Sequence, residues 1–214
     1  AAVEMIHTSS LVHDDLPCMD DDMMRRGKAS TWAEYGEDIG VLTGDALMMY
    51  AFETAANAFE TSIDPDELSR IGRAMGILAR KTGVYGMIGG QTVDVELAGG
   101  PIPGDKLEFI YRLKTGALIE ASMLIGAVLG GAAEEDCQIV ESLAAKIGMA
   151  FQIQDDILDV TGSQDVTGKP SGSDEKNKKT TYVTLEGLDK AKKDVEQIST
   201  EAIEELNKLP GNND

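Results

Sequence analysis

Two short runs of aspartate set in apolar, helix-forming sequence constrain this chain more than any other feature. The first, residues 13–27, reads His-Asp-Asp-Leu-Pro-Cys-Met-Asp-Asp-Asp-Met-Met-Arg-Arg-Gly. The second, residues 152–159, reads Gln-Ile-Gln-Asp-Asp-Ile-Leu-Asp. Each carries an Asp-Asp pair and adds another aspartate a few residues on. Carboxylates at such density repel one another unless something cationic sits between them. Their oxygens are hard ligands, suited to magnesium, manganese or calcium. The expectation is that the two clusters face each other across a cavity and hold divalent ions there.

The surrounding sequence favours helices. Aromatic residues make up only 5% of the 214, against 42% apolar and 27% charged, and strands lean on β-branched and aromatic side chains. A length of 214 residues suits one domain with a real core. The formal net charge of −19 argues against a nucleic-acid binder working through phosphate contacts. Cys18 and Cys137 lie far apart, which points to a reducing compartment rather than a disulfide framework. No apolar run of membrane-spanning length occurs, and no signal peptide is recognisable. Because residue 1 is alanine and residues 1–10 already read as helix, the chain is expected to be a fragment beginning inside a helix.

Along the chain, helical spacing predicts a first helix over residues 1–13, ended by Pro17. His7 lies two turns before Asp14 and shares its face. Arg25-Arg26-Gly27-Lys28 reads as a short basic loop, and two adjacent arginines beside acids suit a clamp on an anion. A long helix is predicted over 32–59, interrupted near 36–40, with Leu42, Ala46, Met49 and Phe52 as its core stripe and Asp45 on that stripe. Another is predicted over 68–97, its glycines at 83, 86, 89 and 90 serving close packing or ligand room near Gln91 and Asp94. Residues 99–104 form a loop. Helices over 106–131 and 137–160 follow, the second placing Gln152, Asp155 or Asp156, and Asp159 on one face. Residues 162–179 read as a mobile loop, and 180–209 as a last amphipathic helix.

Paired carboxylate clusters, scattered basic residues and an apolar helical interior suit a substrate with a polyanionic head and a greasy tail. Carboxylates do not grip phosphate, but they grip magnesium, which bridges to it. Arg25, Arg26, Lys114, Lys169 and Lys179 supply further positive charge. A metal-bound pyrophosphate leaves readily, and the carbocation it leaves behind needs surroundings with little water. His7 and His13 are the only histidines and no Gly-x-Ser-x-Gly occurs, so no nucleophilic triad is suggested. Paired Cys/His ligands for zinc are missing as well.

At this point the chain resembles a known family. Asp14-Asp15-Leu16-Pro17-Cys18-Met19-Asp20 followed by Arg25-Arg26-Gly27 is similar to the first aspartate-rich motif of the trans-isoprenyl diphosphate synthases. Asp155-Asp156-Ile157-Leu158-Asp159 is similar to the second. The likeness continues through Gly44-Asp45-Ala46, Gly89-Gly90-Gln91, Lys114-Thr115, Gly168-Lys169 and Lys179-Thr180-Thr181-Tyr182, most of the chain's length. The resemblance implies an all-α isoprenoid-synthase bundle around a deep cavity, one catalytic domain over 1–214 lacking its N-terminal helices, and a homodimer. It implies head-to-tail condensation of isopentenyl diphosphate onto an allylic diphosphate, with Mg2+ as cofactor and Mn2+ as an alternative. By the same resemblance Asp14, Asp15, Asp20, Asp155, Asp156 and Asp159 are metal-site residues. Arg25, Lys114, Gln152, Lys169 and Lys179 would meet diphosphate, Thr115 would steady the cation, and Arg26 and His7 would bind isopentenyl diphosphate. Lys114, Thr115, Gln152 and Lys169 are the implied catalytic set, and released pyrophosphate would take the final proton.

The family's Gly-Lys-x-x-Arg-Pro-like segment, which completes the isopentenyl diphosphate site, would lie upstream of Ala1. In this family the residues four and five places before the first aspartate help to floor the cavity, and a bulky aromatic there accompanies farnesyl products. Here they are Ser10 and Ser9, both small. Geranylgeranyl diphosphate is therefore the favoured product, with farnesyl diphosphate the alternative, and Ser9→Tyr is expected to shorten it. The compartment expected is the cytoplasm, or the plastid in a plant. Three rivals make different predictions. A terpene cyclase carries a different second metal motif, a regulatory subunit of a heteromeric synthase would have degenerate aspartates, and a calcium buffer would not need Arg25.

Overall fold

The computed structural model describes residues 1–162 and 180–211. The described residues are predominantly helical, as composition and spacing predict, and no helix among them is long and apolar enough to cross a membrane. They group into two compact units, Ala1–Gly76 and Ile77–Asp214.

The first unit is built on an antiparallel pair, α1 (Ala2–Asp14) and α3 (Glu37–Ala56). Between them lie a two-stranded hairpin, β1 (Met24–Arg25) and β2 (Lys28–Ala29), and a short helix α2 (Thr31–Tyr35). The pair packs closely because α3 presents small residues. A Cβ on Gly44 would stand 2.1 Å from Nε2 of His13, and one on Gly40 would stand 2.9 Å from the Leu16 side chain. Thr54 donates to the Met5 sulfur at 3.7 Å, so the register runs Met5 to Thr54, His13 to Gly44 and Leu16 to Gly40. This corrects the predicted stripe of α3. Its buried positions are Gly40, Gly44 and Ala51, while Leu42 and Met49 are exposed. Helical spacing located an apolar face but not the face that glycine makes approachable. A single 3-10 turn (Asn57–Glu60) follows, and α4 (Pro65–Thr82) then runs across the boundary between the units.

The second unit continues through α5 (Met87–Glu96), α6 (Gly104–Ile110), α7 (Ala117–Leu129), α8 (Glu134–Thr161), α9 (Tyr182–Glu186) and α10 (Leu188–Leu206). The helix predicted over 68–97 is two helices. Gly83 and Gly86 make the break, for a Cβ on Gly86 would fall 1.8 Å from the carbonyl oxygen of Lys81. The last predicted helix is also two, divided at Gly187 with φ of 86°. Only glycine takes that conformation without strain. α9 starts with a capping box in which Thr181 and Thr184 each receive the other's backbone N–H.

Between α6 and α7 the chain forms one widened π turn, Tyr111–Gly116, instead of plain α-helix. This turn packs against α5 and α8 as well as its chain neighbours. Two glycines admit it. Gly90 on α5 lies where a Cβ would be 2.3 Å from the Lys114 backbone nitrogen, and Gly148 on α8 where a Cβ would be 2.8 Å from the Gly116 Cα. Apolar side chains close around it. Ile102, Leu107, Ile110 and Tyr111 form one buried cluster, and Ile153, Ile157 and Ala191 another, with Met149 and Tyr182 touching both.

Gly148→Ala should therefore lose about 1–3 kcal/mol of stability by overpacking against the π turn. Gly126→Ala, in the middle of α7 with nothing within 4 Å of an added Cβ, should gain about 0.5–1 kcal/mol from lower chain entropy. Denaturant unfolding of both variants against wild type measures the contrast.

Candidate functional site

In the first unit the early aspartates gather at the C-terminal end of α1. The chain folds back there through backbone hydrogen bonds from Asp20 N to Asp14 O at 2.9 Å and from Asp22 N to Asp15 O at 3.1 Å. Trp32 then pins the loop by donating its indole N–H to the Asp22 carbonyl at 3.0 Å. Asp14 ends half-buried and Asp20 exposed, whereas Asp15 is only 3% exposed. Asp21 sits at φ of 53°, an uncommon conformation for a residue with a side chain.

The segment predicted as a basic loop is a hairpin. Arg26 and Gly27, with φ of 51° and 77°, form the two-residue turn between paired Arg25 and Lys28. The hairpin separates the two arginines. Arg25 points its guanidinium at Asp15, with Nε 3.0 Å from Oδ1 and Nη2 in closer contact with the same oxygen. It also lies 3.7 Å from Asp22. The hydrogen bonds that Arg25 donates to Asp15 outweigh the desolvation and raise the Arg25 pKa, so the group stays charged. Arg26 stands exposed at the tip.

On α1, positions 6, 9 and 12 are buried, and the pairing with α3 puts Ser9 on the face of α1 that packs against α3. Ser9 is 1% exposed. Ser10 is half-buried, gives its hydroxyl to the His7 carbonyl at 2.9 Å, and lies one turn before Asp14 on the same face. His7 lies 3.5 Å from Glu4. Asp45 is exposed rather than part of a core stripe, 3.7 Å from His13, whose Nε2 is 3.1 Å from the Val41 carbonyl.

In the second unit α8 places Gln152, Asp155 and Asp159 at i, i+3 and i+7, on one face, with Asp155 exposed and the other two half-buried. Asp156, at i+4 from Gln152, borders that face and is held by partners on two other elements. Its Oδ2 accepts from the Tyr111 hydroxyl at 2.6 Å and from the backbone N–H of Tyr182 at 2.7 Å. Of the two residues at the i+3/i+4 position, Asp156 makes these tertiary hydrogen bonds and Asp155 is exposed. The π turn runs antiparallel to α8, Tyr111 meeting Asp156 and Gly116 meeting Gly148. That register sets Lys114 and Thr115 at the level of Gln152. Lys114 Nζ is 2.6 Å from Asp94 Oδ2, in a pair with 23% and 16% side-chain exposure. Asp94 and Tyr111 were not singled out as site residues in the sequence. Their signals were a carboxylate three residues after Gln91 and an aromatic just before Lys114-Thr115. Lys169 and Lys179 lie outside the described residues, as does most of the segment read as a mobile loop.

Among the described residues, no three His, Cys, Asp or Glu side chains converge enough to hold a metal by themselves. The donors still fit magnesium. That ion keeps several waters and takes one or two carboxylates together with phosphate oxygens, rather than a full protein cage. Asp155 and Asp159, one turn apart on a face shared with Gln152, offer such a pair.

Replacing Arg25 by methionine should cost about 1–3 kcal/mol, since it strands the buried Asp15 carboxylate without its donor. Asp15→Ala in that background should restore part of the loss. Thermal unfolding of the single and double variants reads the coupling.

The sequence profile of the polyprenyl synthetase family matches residues 1–211. The chain is 45% identical over 208 residues to the large subunit 1 of a chloroplastic heterodimeric geranylgeranyl pyrophosphate synthase of Arabidopsis thaliana. That match covers 96% of this chain and 56% of that protein. It is 47% identical over 206 residues to a chloroplastic geranylgeranyl pyrophosphate synthase of Catharanthus roseus, covering 96% and 57%. A crystal structure of a Helicobacter pylori geranyltransferase complexed with magnesium and isoprenyl diphosphate superposes with a TM-score of 0.84 at 36% identity. It covers 97% of this chain and 66% of that one. The chain spans a little over half the length of the curated relatives it matches.

Proposed function

The chain belongs to the polyprenyl synthetase family, and from that premise we propose that it is the catalytic part of a short-chain trans-prenyltransferase. It joins isopentenyl diphosphate to an allylic diphosphate, dimethylallyl, geranyl or farnesyl, and favours geranylgeranyl diphosphate as product. The observation that carries the reading is the common face of Gln152, Asp155 and Asp159 on α8, with the Lys114-Thr115 turn beside it. Such a face offers carboxylates to a metal and an amide to a diphosphate, and Lys114 adds a cation.

On this reading Asp14 and Asp20 would act as magnesium ligands, and Asp155 and Asp159 likewise. Held there, magnesium would supply positive charge to the diphosphate and make pyrophosphate a better leaving group. Lys114, held ready on Asp94, and Gln152 meet diphosphate oxygens, and Lys169 and Lys179 add charge. The Thr115 hydroxyl steadies the allylic cation formed as the C–O bond breaks. Attack by the double bond of isopentenyl diphosphate forms the new C–C bond, and the proton lost afterwards goes to the departing pyrophosphate. Arg25 and Arg26 divide the work because the hairpin aims them apart. Arg25, fixed by the buried Asp15, serves the allylic diphosphate, and Arg26 at the tip serves isopentenyl diphosphate with His7. Asp15 thereby acts on Arg25 and leaves the metal to Asp14 and Asp20.

The relatives are named for geranylgeranyl products and include a heterodimeric large subunit. Both facts suit a chain with intact aspartate motifs that pairs with itself or with a smaller subunit. Their chloroplastic names make the plastid as apt a compartment as the cytoplasm.

The test is product analysis with the full-length protein. Activity should vanish with EDTA and return with magnesium. Asp14→Ala and Asp155→Ala should each lower kcat by about a hundredfold or more, because each removes charge stabilisation in the transition state. Near-normal turnover in both variants sinks the assignment.

Product length rests on Ser10 more than Ser9, since Ser10 shares the Asp14 face and Ser9 packs toward α3. Ser10→Tyr should move the product from C20 toward C15 with turnover largely kept. Ser9→Tyr should instead lower the melting temperature, at a cost of about 1–3 kcal/mol from overpacking. Chromatography of the prenyl alcohols and a thermal melt tell the two serines apart, and a shortened product from a stable Ser9 variant reverses the assignment.

A further inference from the structure

A π turn shifts its hydrogen bonds from the i−4 to the i−5 carbonyl, is rare, and is frequently found at functional sites. It persists where surrounding contacts hold it. Here the turn opens at Tyr111, 7% exposed, whose hydroxyl reaches across to α8. One oxygen of Asp156 receives that hydroxyl at 2.6 Å and the first backbone N–H of α9 at 2.7 Å, and the Tyr182 N–H also reaches Tyr111 Oη at 3.3 Å. Three elements, the π turn, α8 and α9, thus meet at a single carboxylate. Asp156 lies on the edge of the Gln152 and Asp159 face that meets Tyr111 and Tyr182, near Met149 and Ile153, whereas Asp155 lies one helical step further out and is exposed. Hydrogen bonds to an ionised acceptor are stronger than neutral ones, which suits a carboxylate for this junction.

We propose that Asp156, although it stands inside the second aspartate motif, is a positioning residue and not a metal ligand. It holds Tyr111, and with it the π turn that sets Lys114 and Thr115 beside Gln152. The inference rests on the function proposed above, and its test separates the two.

Asparagine at 156 keeps an oxygen that accepts both N–H and O–H, but loses the negative charge a metal needs. Alanine loses both. Tyr111→Phe removes only the hydroxyl and leaves every carboxylate in place. The full-length wild type, Asp155→Asn, Asp156→Asn, Asp156→Ala and Tyr111→Phe are compared by manganese binding in the presence of inorganic pyrophosphate, read by electron paramagnetic resonance, and by steady-state kinetics. Asp155→Asn should weaken manganese binding about tenfold or more, as expected when a carboxylate ligand is lost. Asp156→Asn and Tyr111→Phe should leave it within about twofold of wild type, with no ligand removed. Tyr111→Phe and Asp156→Ala should raise KM for the allylic substrate and lower kcat by about tenfold or more through misplacement of Lys114 and Thr115. KM for isopentenyl diphosphate should hold, and Asp156→Asn should recover most of what Asp156→Ala loses. A simple loss of fold would not split the two KM values in this way.

Asp156→Asn weakening manganese as much as Asp155→Asn overturns the proposal, and so does Tyr111→Phe with unchanged kinetics. A wild type that binds manganese with pyrophosphate but makes no prenyl product overturns the reaction proposed above, and leaves the manganese comparison to decide Asp156. A wild type that binds no manganese with pyrophosphate overturns both.

Discussion

The close approach of the π turn to α5 and α8 is the contact on which the second unit depends. Two glycines, Gly90 and Gly148, remove the side chains that would hold those helices apart. The approach buries Tyr111 and Gly116 at the two ends of the turn and leaves Lys114 and Thr115 between them, half-buried. Backbone packed this tightly has little room to adjust, so the direction in which Lys114 leaves the turn is set by the fold. Its ammonium then meets the Asp94 carboxylate on α5.

The first unit solves a similar problem with charge. An isolated buried carboxylate is costly, and Asp15 is nearly inaccessible. Arg25 offsets that cost with two guanidinium nitrogens, and the hairpin turn at Arg26 and Gly27 is what brings Arg25 back over Asp15. The same contact keeps the arginine charged and limits its freedom. A guanidinium ordered before an anion arrives loses less entropy on binding it.

In each motif the paired aspartates diverge by one helical step, about 100°. Asp14 shares its face with His7 and Ser10 while Asp15 turns inward to Arg25. Asp155 shares its face with Gln152 and Asp159 while Asp156 turns inward to Tyr111. Each motif thus binds one aspartate of its pair into the framework.

Helical class, the two acidic motifs, the shared face of Gln152 and Asp159, and the likeness to a family were all legible in the sequence, because periodicity and short motifs are local. The sequence also marked Lys114-Thr115 and Arg25-Arg26 as sites of charge. Tertiary structure decided which aspartate of each pair is bound by a neighbouring element, Asp15 by Arg25 and Asp156 by Tyr111, since the two neighbours in a pair differ only in what the fold places opposite them. It decided that Gly83 and Gly86 break a helix while Gly90 admits a neighbour, because a glycine's role depends on which carbonyl or nitrogen a Cβ would strike. It also decided that α3 turns its glycines, not Leu42 and Met49, toward α1. Spacing along one helix carries no information about how closely another helix must approach, and that distance is set by packing between residues far apart in the chain.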